Sequence, residues 1–173
     1  MTFSPSTNHR KPVVGVMGGS KATARGCQIA YDLGRLIAGK GWILLNGGRN
    51  VGVMAASSKG ARDAGGMVVG ILPESHKSKA SPDLDLAVVT GMGEVRNLIN
   101  VLSSDVIIAC RGGLGTLSEV VWALTYERRV ILLDFPLNDS PFEKYIRNGQ
   151  LTLVETPEEA VEQATAVVQG RTA

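Results

Sequence analysis

Cysteine is scarce: Cys27 and Cys110 are the only two in 173 residues. One falls inside an expected helix and the other at the end of an expected buried strand. That arrangement gives neither a disulfide framework nor metal-ligand spacing, so two reduced thiols in a cytoplasmic protein are expected. Histidine is equally rare. His9 lies in the N-terminal tail and His76 in a loop, and neither has a neighbour that suggests acid–base work. Aromatic residues make up only 5% of the chain, and no basic run is interleaved with them, which removes the stacking platform of a single-strand nucleic-acid binder. The net charge of +2 also falls short of a nucleic-acid-binding composition, though it suits a small anionic ligand. No apolar stretch is long enough to span a membrane, so neither nucleic acid nor membrane is expected as a partner. Residues 1–10, with Ser, Thr and Pro but no apolar centre, are not a signal peptide. A disordered tail over 1–11 and a single ligand-binding domain over 12–170 are expected.

Glycine is plentiful, at 21 residues, and it recurs where apolar runs end. Pro12 to Met17 reads as a short buried strand, followed by a helix from about Thr23 to Lys40. In that helix Ile29, Ala30, Leu33, Leu36 and Ile37 recur at three- and four-residue spacing. Strands are then expected at Trp42–Asn46, Met67–Ile71, Leu86–Thr90, 105–110, Val130–Asp134 and Leu151–Val154. Helices are expected over about 51–64, from the region of Arg96 to Ser104, after Gly115, near 142–147 and after the start signal Thr156-Pro157-Glu158-Glu159. This alternation implies a Rossmann-like doubly wound α/β fold, a parallel sheet with helices on both faces. Pro73 to Asp83 shows no apolar period and reads as a flap over the site or as a surface loop.

Ligands of such sheets bind beyond the carboxyl ends of the strands, where the strand order switches. Four candidate stretches fall on that edge: Gly18-Gly19-Ser20, Gly47-Gly48-Arg49-Asn50, Gly91 to Arg96, and Arg111-Gly112-Gly113-Leu114-Gly115-Thr116-Leu117-Ser118-Glu119. Glycine lets backbone approach a ligand closely, and a helix start offers free N–H groups and a favourable dipole to an anion. Gly112 to Thr116 and Gly18 to Ser20 are therefore expected to cradle phosphate, with Arg49, Arg96 and Arg111 supplying positive charge. No dinucleotide fingerprint and no P-loop lysine is present. Glu119 stands three residues after Thr116, so it is either half of a capping box or an acid–base group beside the site. Trp122, Leu124 and Tyr126 are expected in the core or at a subunit interface.

The run Gly112-Gly113-Leu114-Gly115-Thr116-Leu117-Ser118-Glu119 resembles the Pro-Gly-Gly-x-Gly-Thr-x-x-Glu signature of the Lonely-guy, or lysine decarboxylase-like, superfamily. Gly47-Gly48 with Gly52-Val53-Met54 resembles its earlier turn, and Arg96, nine residues before Asp105, matches its active-site arginine. Enzymes of that superfamily remove ribose 5′-monophosphate from adenine-type nucleotides, and the resemblance would make Arg96 and Glu119 the catalytic pair. The chain departs from the signature at Arg111, where proline is usual, at Val95 and Asn97 around the arginine, and at Arg49. Val14 to Gly18, Gly41 to Leu45, Gly47 to Arg49, Gly52 to Met54 and Asn97 to Ser104 look much more like the molybdenum cofactor carrier proteins of algae and cyanobacteria. That resemblance implies a homo-oligomer, dimer or tetramer, that holds molybdopterin and exchanges it with cofactor-synthesis proteins or molybdoenzymes. The metal would arrive inside the ligand, so no protein metal ligand is called for.

Overall fold

The computed structural model describes residues 10–136 and 142–170. Residues 1–9 of the expected tail, His9 included, lie outside the described residues. Arg10 is described, and its guanidinium forms an ion pair with Asp105 at 2.6 Å.

The elements in chain order are β1 (Val13–Met17), α1 (Ala24–Gly39), β2 (Ile43–Asn46), α2 (Gly52–Asp63), β3 (Met67–Leu72) and β4 (Leu86–Val89). A 3-10 turn (Gly93–Val95) then leads into α3 (Arg96–Ser103), β5 (Val106–Cys110), α4 (Leu114–Thr125), β6 (Val130–Leu133), α5 (Glu143–Arg147), β7 (Leu151–Val154) and α6 (Pro157–Gln169). The seven strands form one sheet in the order β4-β3-β2-β1-β5-β6-β7, and every pairing is parallel. The fold is Rossmann-like α/β, as the alternation of elements implied.

Strand side chains alternate between faces. Val14, Val16, Leu44, Val68, Ile108 and Leu133 pack with residues of α1, α2 and α6 on one face. Met17, Leu45, Ile107, Ala109 and Leu132 pack with residues of α3 and α4 on the other. Continuous β-branched runs such as Val106-Ile107-Ile108 therefore suit strands buried on both sides. Helices α1 and α2 cross very closely, because Gly60 lies against the Tyr31 carbonyl and leaves no room for a Cβ.

After β1 the chain winds outward through β2, β3 and β4, then returns across β1 to start β5 beside it. The sheet's switch point is thus between β1 and β5, and a crevice is expected above their carboxyl ends.

Candidate functional site

A cleft of about 340 Å³ opens at that switch point, lined by Gly18, Gly19, Ser20, Gly47, Arg49, Glu94, Arg96, Asn97, Gly113, Gly115, Thr116 and Glu119, with Val16, Met17, Met54 and Leu114 as its apolar part. The two Gly-rich turns do converge on one space.

Its phosphate-like end is the start of α4. Gly113 is the helix N-cap and offers no side-chain hydrogen bond, so the first amides of the helix have no internal partner. The Thr-x-x-Glu capping box does not form. The helix begins at Leu114, which places Thr116 inside the first turn and sends Glu119 one turn further, into the protein at 6% exposure. There the Asn100 amide donates to Glu119 Oε1 at 2.9 Å. Burial raises the Glu119 carboxyl to about 7, against the opposing pull of the Asn100 hydrogen bond and the Arg96 charge.

Arg96 is the first residue of α3 and is only 5% exposed. Its Nε has no hydrogen-bond partner. Burial draws the guanidinium below its ordinary value, with Glu119 and Glu94 acting in the opposite direction; it stays cationic, because an arginine starts so high. Gly47 makes this placement possible. A Cβ there would overlap Arg96 Nη1 and come within 2.7 Å of Met54 Sδ.

Arg49 lines the cleft, but its charge is largely balanced. Its Nε and Nη2 reach Glu74 Oε1 at 2.8 and 2.7 Å. Burial acts to raise Glu74, but hydrogen bonds from Arg49 and its own backbone, with the charges of Arg49 and Lys79, leave it below the usual carboxylate value. The segment carrying Glu74 is a surface loop that is tied down. Asn50 N–H donates to Lys79 O at 2.9 Å, and Ser81 N–H to Gly48 O at 2.8 Å, so it is fastened along the β2–α2 turn.

Several expected ligand groups are otherwise engaged. The Gly48 N–H donates to Asn46 Oδ1 at 2.8 Å, part of a buried network in which Asn46 Nδ2 also donates to Ser57 and Ser58. Gly19 N–H donates to Arg111 O, and Gly19 O accepts from Val53 N–H at the start of α2. Gly112 packs beneath Thr116 and does not line the cleft. Arg111 is not in the cleft either: it lines a second recess with Lys21, Arg25, Cys110 and Asp134. The Gly19–Arg111 hydrogen bond is the seam between the two spaces, and a one-residue step past a strand end reverses the side to which a side chain points. Gly18, Gly19, Ser20, Gly47, Arg49, Arg96, Gly113, Gly115, Thr116 and Glu119 are brought together as the sequence suggested.

Two lining residues escaped the sequence reading. Asn97 Nδ2 donates to Gly115 O at 3.4 Å and Ser118 Oγ at 3.1 Å, tying α3 to α4. Glu94 sits in the 3-10 turn before α3, within the stretch Gly91 to Arg96 that the spacing marked, but nothing distinguishes it there from a solvated glutamate. Cys110 is a buried free thiol, pushed up to about 12 by burial, and lies outside the cleft. Among the described residues no group of three or more His, Cys, Asp or Glu is placed to hold a metal ion, and no helix is long and apolar enough to cross a membrane.

Residues 11–161 match the model of the SLOG cluster4 family. The chain belongs to that family. That membership is consistent with the resemblance to the Lonely-guy superfamily. Among solved structures, the molybdenum cofactor binding protein of Rippkaea orientalis is 48% identical, with a TM-score of 0.83 over 92% of this chain and 99% of that one. The molybdenum cofactor carrier protein of Chlamydomonas reinhardtii is 37% identical, with a TM-score of 0.86 over the same shares. The cytokinin riboside 5′-monophosphate phosphoribohydrolase of Mycobacterium tuberculosis is 34% identical over 115 residues, 62% of each chain. The match thus spans less than two thirds of that enzyme's length.

Proposed function

We propose that this SLOG protein binds a phosphorylated, molybdenum-containing pterin in the β1–β5 cleft and serves as its store and carrier. The observation that carries the reading is Arg96: a buried guanidinium with an unpartnered Nε lining a cleft that also holds the open start of α4. Such a donor needs an anionic acceptor, because an unpaired buried polar group is costly. A phosphate set on the amides of Gly115 and Thr116, with Ser20 beside it, fits this set of donors. The molybdenum would be carried by the pterin's own dithiolene, and the residues lining the cleft include no cysteine or histidine. The near end-to-end likeness to the Rippkaea molybdenum cofactor binding protein and the Chlamydomonas molybdenum cofactor carrier protein supports a carrier over a hydrolase.

In this reading the protein works in the cytoplasm and exchanges its cargo with cofactor-synthesis proteins or molybdoenzymes. It also self-associates. Leu114 (84% exposed), Val95, Leu102, Val121, Trp122 and Tyr126 are exposed on and beside α3 and α4, and a second copy would cover them.

One observation favours the runner-up, a nucleoside 5′-monophosphate phosphoribohydrolase. A carboxyl raised to about 7 is matched to acid–base work at neutral pH, and Glu119 with Arg96 would form the catalytic pair. One paired assay decides. The purified protein is offered AMP-type nucleotides and, separately, the cofactor; released base, bound molybdenum and bound pterin are measured. Retention of molybdenum and pterin together without base release is expected. Base release that disappears in Glu119→Ala would overturn the carrier reading.

A further inference from the structure

Beyond Arg96, the phosphate end and Arg49, whose charge Glu74 largely balances, the side chains of this cleft offer a ligand acceptors. The Asn97 amide nitrogen is spent on Gly115 O and Ser118 Oγ, which leaves its carbonyl oxygen. Glu94 lines the same wall, and its carboxylate Oε2 lies 4.0 Å from the point where a Cβ on Gly115 would stand. Among the described residues Glu94 makes no ion pair within 4 Å. A carboxylate at the mouth of an anion-binding cleft repels the phosphate, and a contact with another part of the ligand would offset that cost. Arg96, 95% buried and with its Nε unpartnered, lines the cleft as well, so the acids do not stand alone. Arg96 takes the anion, and the acceptor wall is left for the ring.

We infer that Glu94 is a specificity-determining residue that selects a heterocycle with two adjacent N–H donors, the amino-pyrimidinone edge shared by pterins and guanine. A carboxylate accepts both hydrogen bonds from such an edge in parallel. Adenine puts an acceptor nitrogen next to its amino group, so one carboxylate oxygen would face a lone pair. The inference rests on the anion-binding reading of the cleft, and it names the class of ring that reading leaves open.

The test is equilibrium binding of GMP, AMP and 6-hydroxymethylpterin phosphate by calorimetry, with inorganic phosphate as a common reference. The wild-type protein should bind GMP and the pterin ester about 10- to 100-fold more tightly than AMP, the span a bidentate pair gives. Glu94→Gln presents one donor and one acceptor, so it should erase that preference, while inorganic phosphate, freed of a repelling charge, binds at least as tightly as before. Tighter binding of the pterin ester than of GMP assigns a pterin, and the reverse order a guanine nucleotide; both support the donor-edge rule. AMP binding as tightly as GMP overturns it. So does a Glu94→Gln variant that weakens all three esters and phosphate equally, since Glu94 would then only steady Arg96. Failure of inorganic phosphate and every ester to bind would instead remove the anion-site reading beneath it.

Discussion

Glu119→Gln tests the central electrostatic feature of the cleft without requiring a ligand. The glutamate is buried at 6% exposure and hydrogen-bonded by Asn100, and glutamine can accept the same hydrogen bond. Its pKa stands at about 7 against a free value of 4.5, so the native state holds a proton that the unfolded chain has released. The associated stability is complete below 4.5 and is lost as pH rises through about 7. At ~1.4 kcal/mol per pH unit, that gap amounts to roughly 3 kcal/mol. Urea unfolding of both proteins from pH 4.5 to 8 should therefore show the wild type falling behind Glu119→Gln by about that amount up to pH 7, with a constant difference above. Glu74, Asp63 and Glu159 are held below their ordinary values, which gives the opposite pH trend. They are present in both proteins and cancel in the difference. Parallel curves across the range would show that Glu119 ionises like an exposed glutamate and would refute the account of its burial.

Gly47→Ala should displace the Arg96 guanidinium; calorimetry with inorganic phosphate is expected to show affinity reduced about tenfold or more, with a stability loss of only ~1–3 kcal/mol by urea. Gly60→Ala forces a methyl group onto the Tyr31 carbonyl where α1 crosses α2, and it should lower the thermal midpoint far more than Gly39→Ala, whose added methyl meets nothing within 4 Å. Trp122→Glu places charge on the exposed α4 face and should shift the molar mass by light scattering to that of the monomer. An unchanged mass would discard that face as the contact.

The sheet was legible because its strands are continuous β-branched runs and its turns are glycine pairs, features that act within a few residues. Thr156-Pro157-Glu158-Glu159 is a case in point: the Thr156 hydroxyl accepts from Glu159 N–H, and the Glu159 carboxylate accepts from Thr156 N–H. The similar spelling Thr116-x-x-Glu119 left two readings open, since whether such a pair caps a helix depends on where the helix starts, and Gly113 starts α4 three residues earlier. Arg111 and Arg49 looked equivalent beside their glycine pairs. Tertiary contacts separated them, turning Arg111 into a different recess and giving Arg49 the partner Glu74, 25 residues away.

By itself, the sequence determined the strand–helix alternation, the parallel sheet and the edge on which a ligand would sit, because local apolar periodicity and turn chemistry decide these. Only the folded chain decided that Arg96 is buried with an unpartnered Nε, that Glu119 holds its proton near neutral pH, and which amides remain free. Desolvation and hydrogen-bond partnership depend on neighbours brought from distant positions, and no short stretch of sequence contains them.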